Sequence, residues 1–172
     1  MNDIKAIALD VDGVLTDGTF WWGPNGEEFK RFSFADVMGI SLGRKAGLVF
    51  ALISGEDSPL IDRFAKKMGI TEIYKGCKDK AAALTAFADK HGLDLTSICF
   101  MGDDVNDLPA IELAGLSAAP ANAQKPVRQR VDLVTERSGG PGAVRGLIDT
   151  LLLRFGHGGV HLVPEAADQQ RS

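Results

Sequence analysis

The chain has 172 residues and a net charge of −4, and 45% of its residues are hydrophobic. This length suits one domain with a hydrophobic core, and the hydrophobic content is typical of a globular rather than a disordered protein. Acidic and basic residues are interspersed, which argues against a nucleic-acid partner because such a partner favours a clustered basic face. No apolar run reaches the roughly 18 residues that a membrane span requires, so we expect no contact with a membrane.

The N-terminal stretch and the cysteines indicate the compartment. MNDIKAIALD lacks the basic segment followed by a long apolar one that marks a secretory signal. Cys77 and Cys99 are the two cysteines, and neither belongs to a CxxC motif. We therefore expect a cytoplasmic protein with reduced thiols.

The order of the predicted elements indicates the fold class. Residues 4–9 are a short, nearly all-apolar run, which is typical of a central parallel strand that is buried on both faces. Residues 18–33 predict a β-hairpin with arms over 19–22 and 28–32 and a turn at Asn25-Gly26. The later predicted elements are helices over 36–46, 58–68, 78–91, 104–114, 123–130 and 143–154, and strands over 48–53, 70–74, 98–101, 115–118 and 132–134. This alternation with short connections predicts an α/β fold with a doubly wound parallel sheet.

The predicted domain covers residues 1–154, and residues 155–172 are predicted to be a mobile tail because they lose the periodicity and gain Gly, Pro and polar residues. His157 and His161 lie in this tail, where we expect solvated side chains rather than metal ligands.

The predicted hairpin is unusually aromatic. It and the residues just after it contain half of the aromatic side chains of the chain: Phe20, Trp21, Trp22, Phe29, Phe32 and Phe34. A two-stranded hairpin has too little area to bury aromatic side chains on both faces. We therefore favour a contact with another subunit over the alternative, in which the hairpin folds back onto its own domain.

Two carboxylates follow the first apolar run, at Asp10 and Asp12, with Gly13 next. Ligands of open α/β sheets bind at the carboxyl ends of the strands, and an unpaired buried carboxylate costs several kcal/mol. The pair predicts a site for a cation, most simply a metal ion. An acidic turn is an equally good interpretation of these residues alone, because Asp-Gly is common in turns.

Three later stretches favour the metal site. Ser54-Gly55 follows the apolar run LVFALI, Lys80 lies in GCKDKAAAL, and Asp103 lies in MGDDVNDLPAI after the run SICF. In this order, together with DVDG, they resemble the four motifs of the haloacid dehalogenase superfamily of phosphatases. The combination is far more specific than any one of its parts.

The resemblance implies a role for each matching residue. It makes Asp10 the nucleophile that forms an aspartyl-phosphate and Asp12 the acid and base. Ser54, Gly55 and Lys80 bind the phosphate. The implied Mg²⁺ ligands are the side chains of Asp10 and Asp103 and the backbone carbonyl of Asp12. Asp104 and Asp107 support the site, and Asp107 holds a metal-bound water or orients Lys80.

Each of the supporting residues also has a structural interpretation. Ser54 could cap the next helix. Lys80 could be a solvated lysine early in its helix. Asp104 and Asp107 could stabilise a helix N-terminus.

The spacing of the motifs leaves no room for a cap domain, either between Asp10 and Ser54 or between Ser54 and Lys80. Over residues 4–154 the chain is similar to the capless phosphatases of sugar-acid biosynthesis. These are the 3-deoxy-D-manno-octulosonate 8-phosphate phosphatases and their nonulosonate 9-phosphate relatives. The similarity is carried by DVDGVLTDG, FSFADVMGI, ISGEDS, YKGCKDKAAAL, MGDDVNDLPAI and SGGPGAVR. It implies a homotetramer in which the hairpins meet and a neighbouring subunit lines each site.

The chain departs from this pattern at substrate-contacting positions. Glu56 stands where the octulosonate enzymes have arginine, and Phe64 where the nonulosonate enzymes have one. The substrate carboxylate needs a cation, and Arg63, Lys67 and Arg145 are the candidates.

We therefore predict a phosphatase of a small phosphorylated sugar acid, with Glu56 among the substrate-binding residues. The alternative is a non-catalytic tetrameric partner of a cytidylyltransferase. A phosphomutase ranks last, because mutases of this superfamily close a cap over the intermediate.

Overall fold

A six-stranded parallel sheet forms the centre of the computed structural model, which describes residues 3–155. Its strands are β1 (Ala6–Leu9), β4 (Val49–Ile53), β5 (Glu72–Tyr74), β6 (Ile98–Met101), β7 (Leu116–Ala119) and β8 (Leu133–Val134). They lie in the order β5-β4-β1-β6-β7-β8. A separate antiparallel hairpin contains β2 (Trp21–Trp22) and β3 (Glu28–Phe29).

Within the described residues, six α-helices accompany the strands: α1 (Phe34–Lys45), α2 (Pro59–Met68), α3 (Lys80–His91), α4 (Leu108–Leu113), α5 (Lys125–Arg128) and α6 (Ala143–Phe155). Helices α1, α2 and α6 cover one face of the sheet, where Ile40, Ile61 and Leu147 join one apolar cluster. Helices α3, α4 and α5 cover the other face, where Leu84 and Val127 join a second cluster. The predicted doubly wound α/β fold without a cap domain is confirmed.

Strand β1 lies at the point where the strand order reverses, because β4 pairs with one of its edges and β6 with the other. All four residues of β1 are fully buried, as the sequence predicted. A crevice opens beside the carboxyl ends of the strands at such a reversal, and ligands of open α/β sheets bind there. We therefore expect a ligand site beside the residues that follow β1, β4 and β6.

Helices α1 and α6 are joined through Asp36. One of its carboxylate oxygens accepts a hydrogen bond from the backbone N–H of Arg145 at 2.8 Å, in the first turn of α6. The other oxygen is buried and has no hydrogen-bond partner within residues 3–155. Burial raises the pKa of Asp36 to about 6, although backbone N–H groups at the start of α6 act in the opposite direction.

Several predicted boundaries are wrong. The predicted helix over 104–114 is a 3-10 turn over Val105–Asp107 followed by α4. The turn forms because Asp104 and Asp107 exchange capping hydrogen bonds with each other's backbone. The hairpin arms pair over only two residues each, and the Lys30 side chain just beyond β3 contacts Asp12.

No helix within residues 3–155 is long and apolar enough to cross a bilayer. The predicted tail beyond residue 155, with His157 and His161, lies outside the described residues.

Candidate active site

The predicted site residues meet at one edge of the sheet. Asp10 follows β1, and its backbone N–H donates to the carbonyl of Met101 at 2.9 Å, which holds the ends of β1 and β6 together. Ser54 follows β4, and Asp103 follows β6. They border a cavity of about 260 Å³ that is lined by Asp10, Asp12, Gly18, Ser54, Gly55, Glu56, Lys80, Asp103, Asp104 and Asn106.

Lys80 lies between two carboxylates. It is the first residue of α3, and Asp79 caps this helix. The Nζ atom of Lys80 lies 2.9 Å from a carboxylate oxygen of Asp10 and 2.6 Å from one of Asp107. The Lys80 side chain is only 2% exposed, which excludes the alternative of a solvated lysine.

The pKa values of Asp10 and Lys80 reflect both burial and neighbouring charges. Burial raises the pKa of Asp10 well above its ordinary value, and the negative charges of Asp107 and Asp103 act in the same direction. The Lys80 ammonium acts in the opposite direction. Burial alone would lower the pKa of Lys80, but the carboxylates of Asp10 and Asp107 outweigh it and raise this pKa. The ammonium group therefore stays charged beside the predicted nucleophile.

Both carboxylate oxygens of Asp107 have hydrogen-bond partners. One of its oxygens contacts Lys80, and the other accepts the backbone N–H groups of Asp103 and Asp104 at 2.8 and 3.1 Å. This is the contact expected of a residue that orients Lys80. Asp104 accepts the N–H of Val105 at 2.6 Å, so the helix-capping interpretation is correct for its side chain.

The acidic cluster suits a hard divalent cation. Asp10, Asp103 and Asp107 each offer an oxygen atom, and these atoms lie within 4.8 Å of one another. Burial and then the charge of Asp107 raise the pKa of Asp103 to about 6. Because Asp107 already uses both oxygens, the side chains of Asp10 and Asp103 are the donors best placed for a metal. Carboxylate oxygens are the ligands that Mg²⁺ prefers, so the residues fit the predicted ion.

Gly13 allows Asp103 to approach. Its φ is +90°, a conformation that favours glycine, and a Cβ atom built there would overlap the Asp103 carboxylate. The Thr16 hydroxyl fixes the loop, since it accepts the N–H groups of Gly13 and Gly18 at 3.2 Å each. The DVDGVLTDG stretch thus leaves room for the Asp103 carboxylate beside the cavity.

Ser54 is buried, and its hydroxyl accepts the N–H of Glu56 at 3.1 Å. The cap of α2 is Ser58, whose hydroxyl accepts the N–H of Leu60. The alternative in which Ser54 caps the helix is therefore excluded. Ser54, Gly55 and Glu56 instead line the cavity as a short loop.

Asp12 has a partner that the sequence did not predict. Its Oδ1 atom lies 2.8 Å from Nζ of Lys30, which belongs to the segment between β3 and α1. Its Oδ2 atom is shielded from solvent and has no hydrogen-bond partner in the described part of the chain. The pairing joins residues far apart in the chain, and no local sequence pattern signals it.

The predicted carboxylate-binding cations do not line this cavity. Arg63 and Lys67 line a separate groove of about 560 Å³ between α2 and the residues around β3, where the Lys67 ammonium lies 5.5 Å from the centre of the Phe34 ring. The Nε atom of Arg145 pairs with both carboxylate oxygens of Asp149 at 2.7 and 2.8 Å in a third cleft. Their role in substrate binding stays a prediction.

Comparison with known proteins identifies the family. Residues 46–145 match the model of the haloacid dehalogenase-like hydrolases. The chain is 38% identical over 155 residues to the 3-deoxy-D-manno-octulosonate 8-phosphate phosphatase of Escherichia coli strain K12, which covers 90% of this chain and 82% of that protein. The chain belongs to this family of haloacid dehalogenase-like hydrolases.

Solved structures of the family agree with the fold. The Moraxella catarrhalis 3-deoxy-D-manno-octulosonate 8-phosphate phosphatase, solved with magnesium, phosphate and KDO, is 37% identical with a TM-score of 0.85, covering 87% of this chain and 86% of that one. The cobalt-bound Haemophilus influenzae phosphatase is 37% identical with a TM-score of 0.87 and 90% coverage of both chains. The chain therefore shares its overall fold with phosphatases of this family.

Proposed function

We propose that this protein is a Mg²⁺-dependent phosphatase that hydrolyses the phosphomonoester of a phosphorylated sugar acid. The observation that carries the proposal is the convergence of Asp10, Asp103 and Lys80 on one cavity of about 260 Å³. The family relative solved with magnesium, phosphate and KDO supports this assignment.

The first step forms an aspartyl-phosphate. A carboxylate oxygen of Asp10 attacks phosphorus, the bond from phosphorus to the ester oxygen breaks, and that oxygen takes a proton from Asp12. In the second step a water molecule gives a proton to Asp12 while its oxygen attacks phosphorus. The bond from phosphorus to Asp10 then breaks, which releases phosphate and restores both carboxyl groups.

Positive charge makes these steps possible, because the attacking carboxylate and the phosphate repel each other. Lys80 is held beside Asp10 at 2.9 Å and supplies one cation. The side chains of Asp10 and Asp103 and the backbone carbonyl of Asp12 would hold Mg²⁺, which neutralises phosphate oxygens when bound. The Ser54 hydroxyl and the N–H groups of the loop after it would donate to the remaining phosphate oxygens.

Phosphate release is the decisive measurement. The purified protein with Mg²⁺ should release phosphate from 3-deoxy-D-manno-octulosonate 8-phosphate or a nonulosonate 9-phosphate in preference to simple phosphate esters. Asp10→Asn should abolish release, whereas Asp89→Asn, at an exposed carboxylate on α3, should keep it. Full activity of Asp10→Asn would refute the mechanism. Absence of release from every ester would favour the non-catalytic partner of a cytidylyltransferase.

We also propose that the aromatic hairpin contacts other copies of the chain in a homotetramer. The support is the exposure of large aromatic side chains, which reaches 71% for Trp21 and 73% for Trp22. Sedimentation of the wild-type protein should show a tetramer, and replacing both tryptophans with serine should shift it toward the monomer. A monomeric wild-type protein would contradict the proposal.

Arg63 and Lys67 would act across such an assembly. Both line the groove beside the hairpin rather than the cavity of their own chain, so we assign them to the substrate carboxylate in a neighbouring copy. Mixing Asp10→Asn subunits with Arg63→Ala/Lys67→Ala subunits should then restore activity that neither variant has alone. No recovery in mixed assemblies would refute this assignment.

A cytoplasmic location completes the proposal. Cys77 and Cys99 are both free, which is compatible with a reducing compartment.

A further inference from the structure

Lys30 connects the predicted acid and base to the hairpin. Its Nζ atom lies 2.8 Å from Oδ1 of Asp12 and 3.5 Å from a carboxylate oxygen of Glu28. Glu28 is itself held in place, because its carboxylate accepts a hydrogen bond from the hydroxyl of Ser58 at 3.1 Å, at the start of α2. Asp12 is therefore tied through Lys30 and Glu28 to the N-terminus of α2.

The Lys30 side chain is shielded from solvent at this contact. It is only 3% exposed, and lysine is almost never buried to this degree unless it is paired. Burial alone would lower the pKa of Lys30, but the hydrogen bond and charge of Asp12 and then Glu28 outweigh it and raise this pKa. The adjacent Arg31 shows the contrast, because its side chain is 75% exposed and its nearest contact with Asp17 is 3.5 Å long.

The two oxygens of Asp12 have different surroundings. Lys30 holds Oδ1, whereas Oδ2 has no hydrogen-bond partner in residues 3–155. Asp12 also lines the cavity that contains Asp10. A proton carrier has to lie within hydrogen-bond reach of the oxygen that it serves, and a misplacement of about 1 Å can lower a rate by about 100-fold.

We propose that Lys30 is a positioning residue that holds the Asp12 carboxylate at the cavity, so that Asp12 exchanges the proton with the departing ester oxygen and then with water. This inference rests on the proposed phosphatase function. It also gives the hairpin a part in catalysis, because Lys30 lies just beyond β3 and its other carboxylate partner, Glu28, belongs to β3.

The leaving group of the substrate provides the test. An alkyl phosphate, such as a phosphorylated sugar acid, needs a proton on its leaving oxygen, whereas 4-nitrophenyl phosphate releases a stable phenolate without one. The value of kcat/KM covers the steps up to formation of the aspartyl-phosphate, so it reports this protonation separately from the later attack of water.

Lys30→Met should lower kcat/KM about 100-fold for the sugar-acid phosphate and less than about fivefold for 4-nitrophenyl phosphate, since misplaced general acids lose this order of rate. Asp12→Asn should show the same selectivity. Adding Lys30→Met to Asp12→Asn should cause no further loss, because the two residues act as one unit. Arg31→Met, at the exposed neighbour, should leave both values unchanged.

Thermal unfolding of each variant shows whether the protein is still folded, which separates a positioning role from a role in folding. Lys30→Gln serves as a second variant because it keeps a hydrogen-bond donor. It should show a smaller loss of kcat/KM with the same selectivity between the two substrates. An equal loss of kcat/KM on both substrates in folded Lys30 variants would overturn the inference, and so would an additive loss in the Asp12→Asn background. In either case an active wild-type protein would leave the proposed function intact. A wild-type protein inactive on both esters would refute the proposed function, and this inference with it.

Discussion

Replacing Lys80 with methionine removes the cation that lies between Asp10 and Asp107 while keeping a side chain of similar length. The two contacts, at 2.9 and 2.6 Å, each correspond to about 6 kcal/mol of attraction at an effective dielectric constant of about 20. Desolvation of the three ions offsets most of this attraction. The measured cost of leaving buried charges without their partner is about 3–5 kcal/mol.

We therefore expect Lys80→Met to lower the free energy of unfolding by about 3–5 kcal/mol in chelator-treated protein at neutral pH, where both carboxylates lack a counterion. In a domain of this size the midpoint of thermal unfolding should fall by roughly 6–20 °C. Because the pKa values of Asp10 and Asp103 are raised in the folded state, their protonation removes repulsion. The deficit should therefore shrink as the pH falls from about 7.5 to about 5.

Lys90→Met is the matched control. The Lys90 ammonium also lies 2.9 Å from a carboxylate oxygen, in Glu72, but its side chain is 62% exposed. Because the Lys90 side chain is solvated and the buried Glu72 carboxylate also contacts His91 at 3.3 Å, loss of this pair should cost at most about 1 kcal/mol. Urea and thermal unfolding of both variants measure the difference. Equal effects of the two substitutions, or a change below about 1 kcal/mol for Lys80→Met, would show that burial does not govern this contact.

Three further outcomes follow from the packing. Gly13→Ala should weaken Mg²⁺ binding, measured by calorimetry, far more than Gly26→Ala, because both glycines have positive φ but only the Gly13 Cβ would meet Asp103. Equal binding by both variants would contradict this. Asp36→Asn should become more stable relative to the wild type as the pH rises from about 5 to about 7.5, since the raised pKa means that ionisation of buried Asp36 disfavours the folded state. Urea unfolding at both pH values measures the difference in free energy of unfolding between the two proteins. A difference that stays constant would contradict this prediction. Ser33→Ala should lower the free energy of unfolding by about 1 kcal/mol, because the Ser33 hydroxyl caps α1, and an unchanged urea midpoint would argue against that cap.

The sequence was sufficient to predict which residues meet at the sheet edge. Apolar runs that end in Asp10, Ser54 and Asp103 become neighbours because parallel strands bring their carboxyl ends to one edge. The early position of Lys80 in α3 brings its side chain to the same edge. The prediction succeeded here because each residue lies at a recognisable strand end or helix start.

Two important contacts could not be predicted in this way. The local pattern of hydrophobic and polar residues places Lys30 on a hairpin arm and Asp36 at a helix start. Their partners, Asp12 and the N-terminus of α6, are distant in the chain and are selected by three-dimensional packing. Periodicity contains no information about such pairs.

The central position of β1 has a consequence for synthesis on the ribosome. Within residues 3–155, β1 is made before the other strands of the sheet, yet its neighbour β6 ends only at Met101. At translation rates of about 5–20 residues per second, this apolar strand waits roughly 5–20 s for its second partner. A nascent chain that ends before β6 should therefore leave one edge of β1 unpaired, which makes it a candidate for chaperone binding and early aggregation.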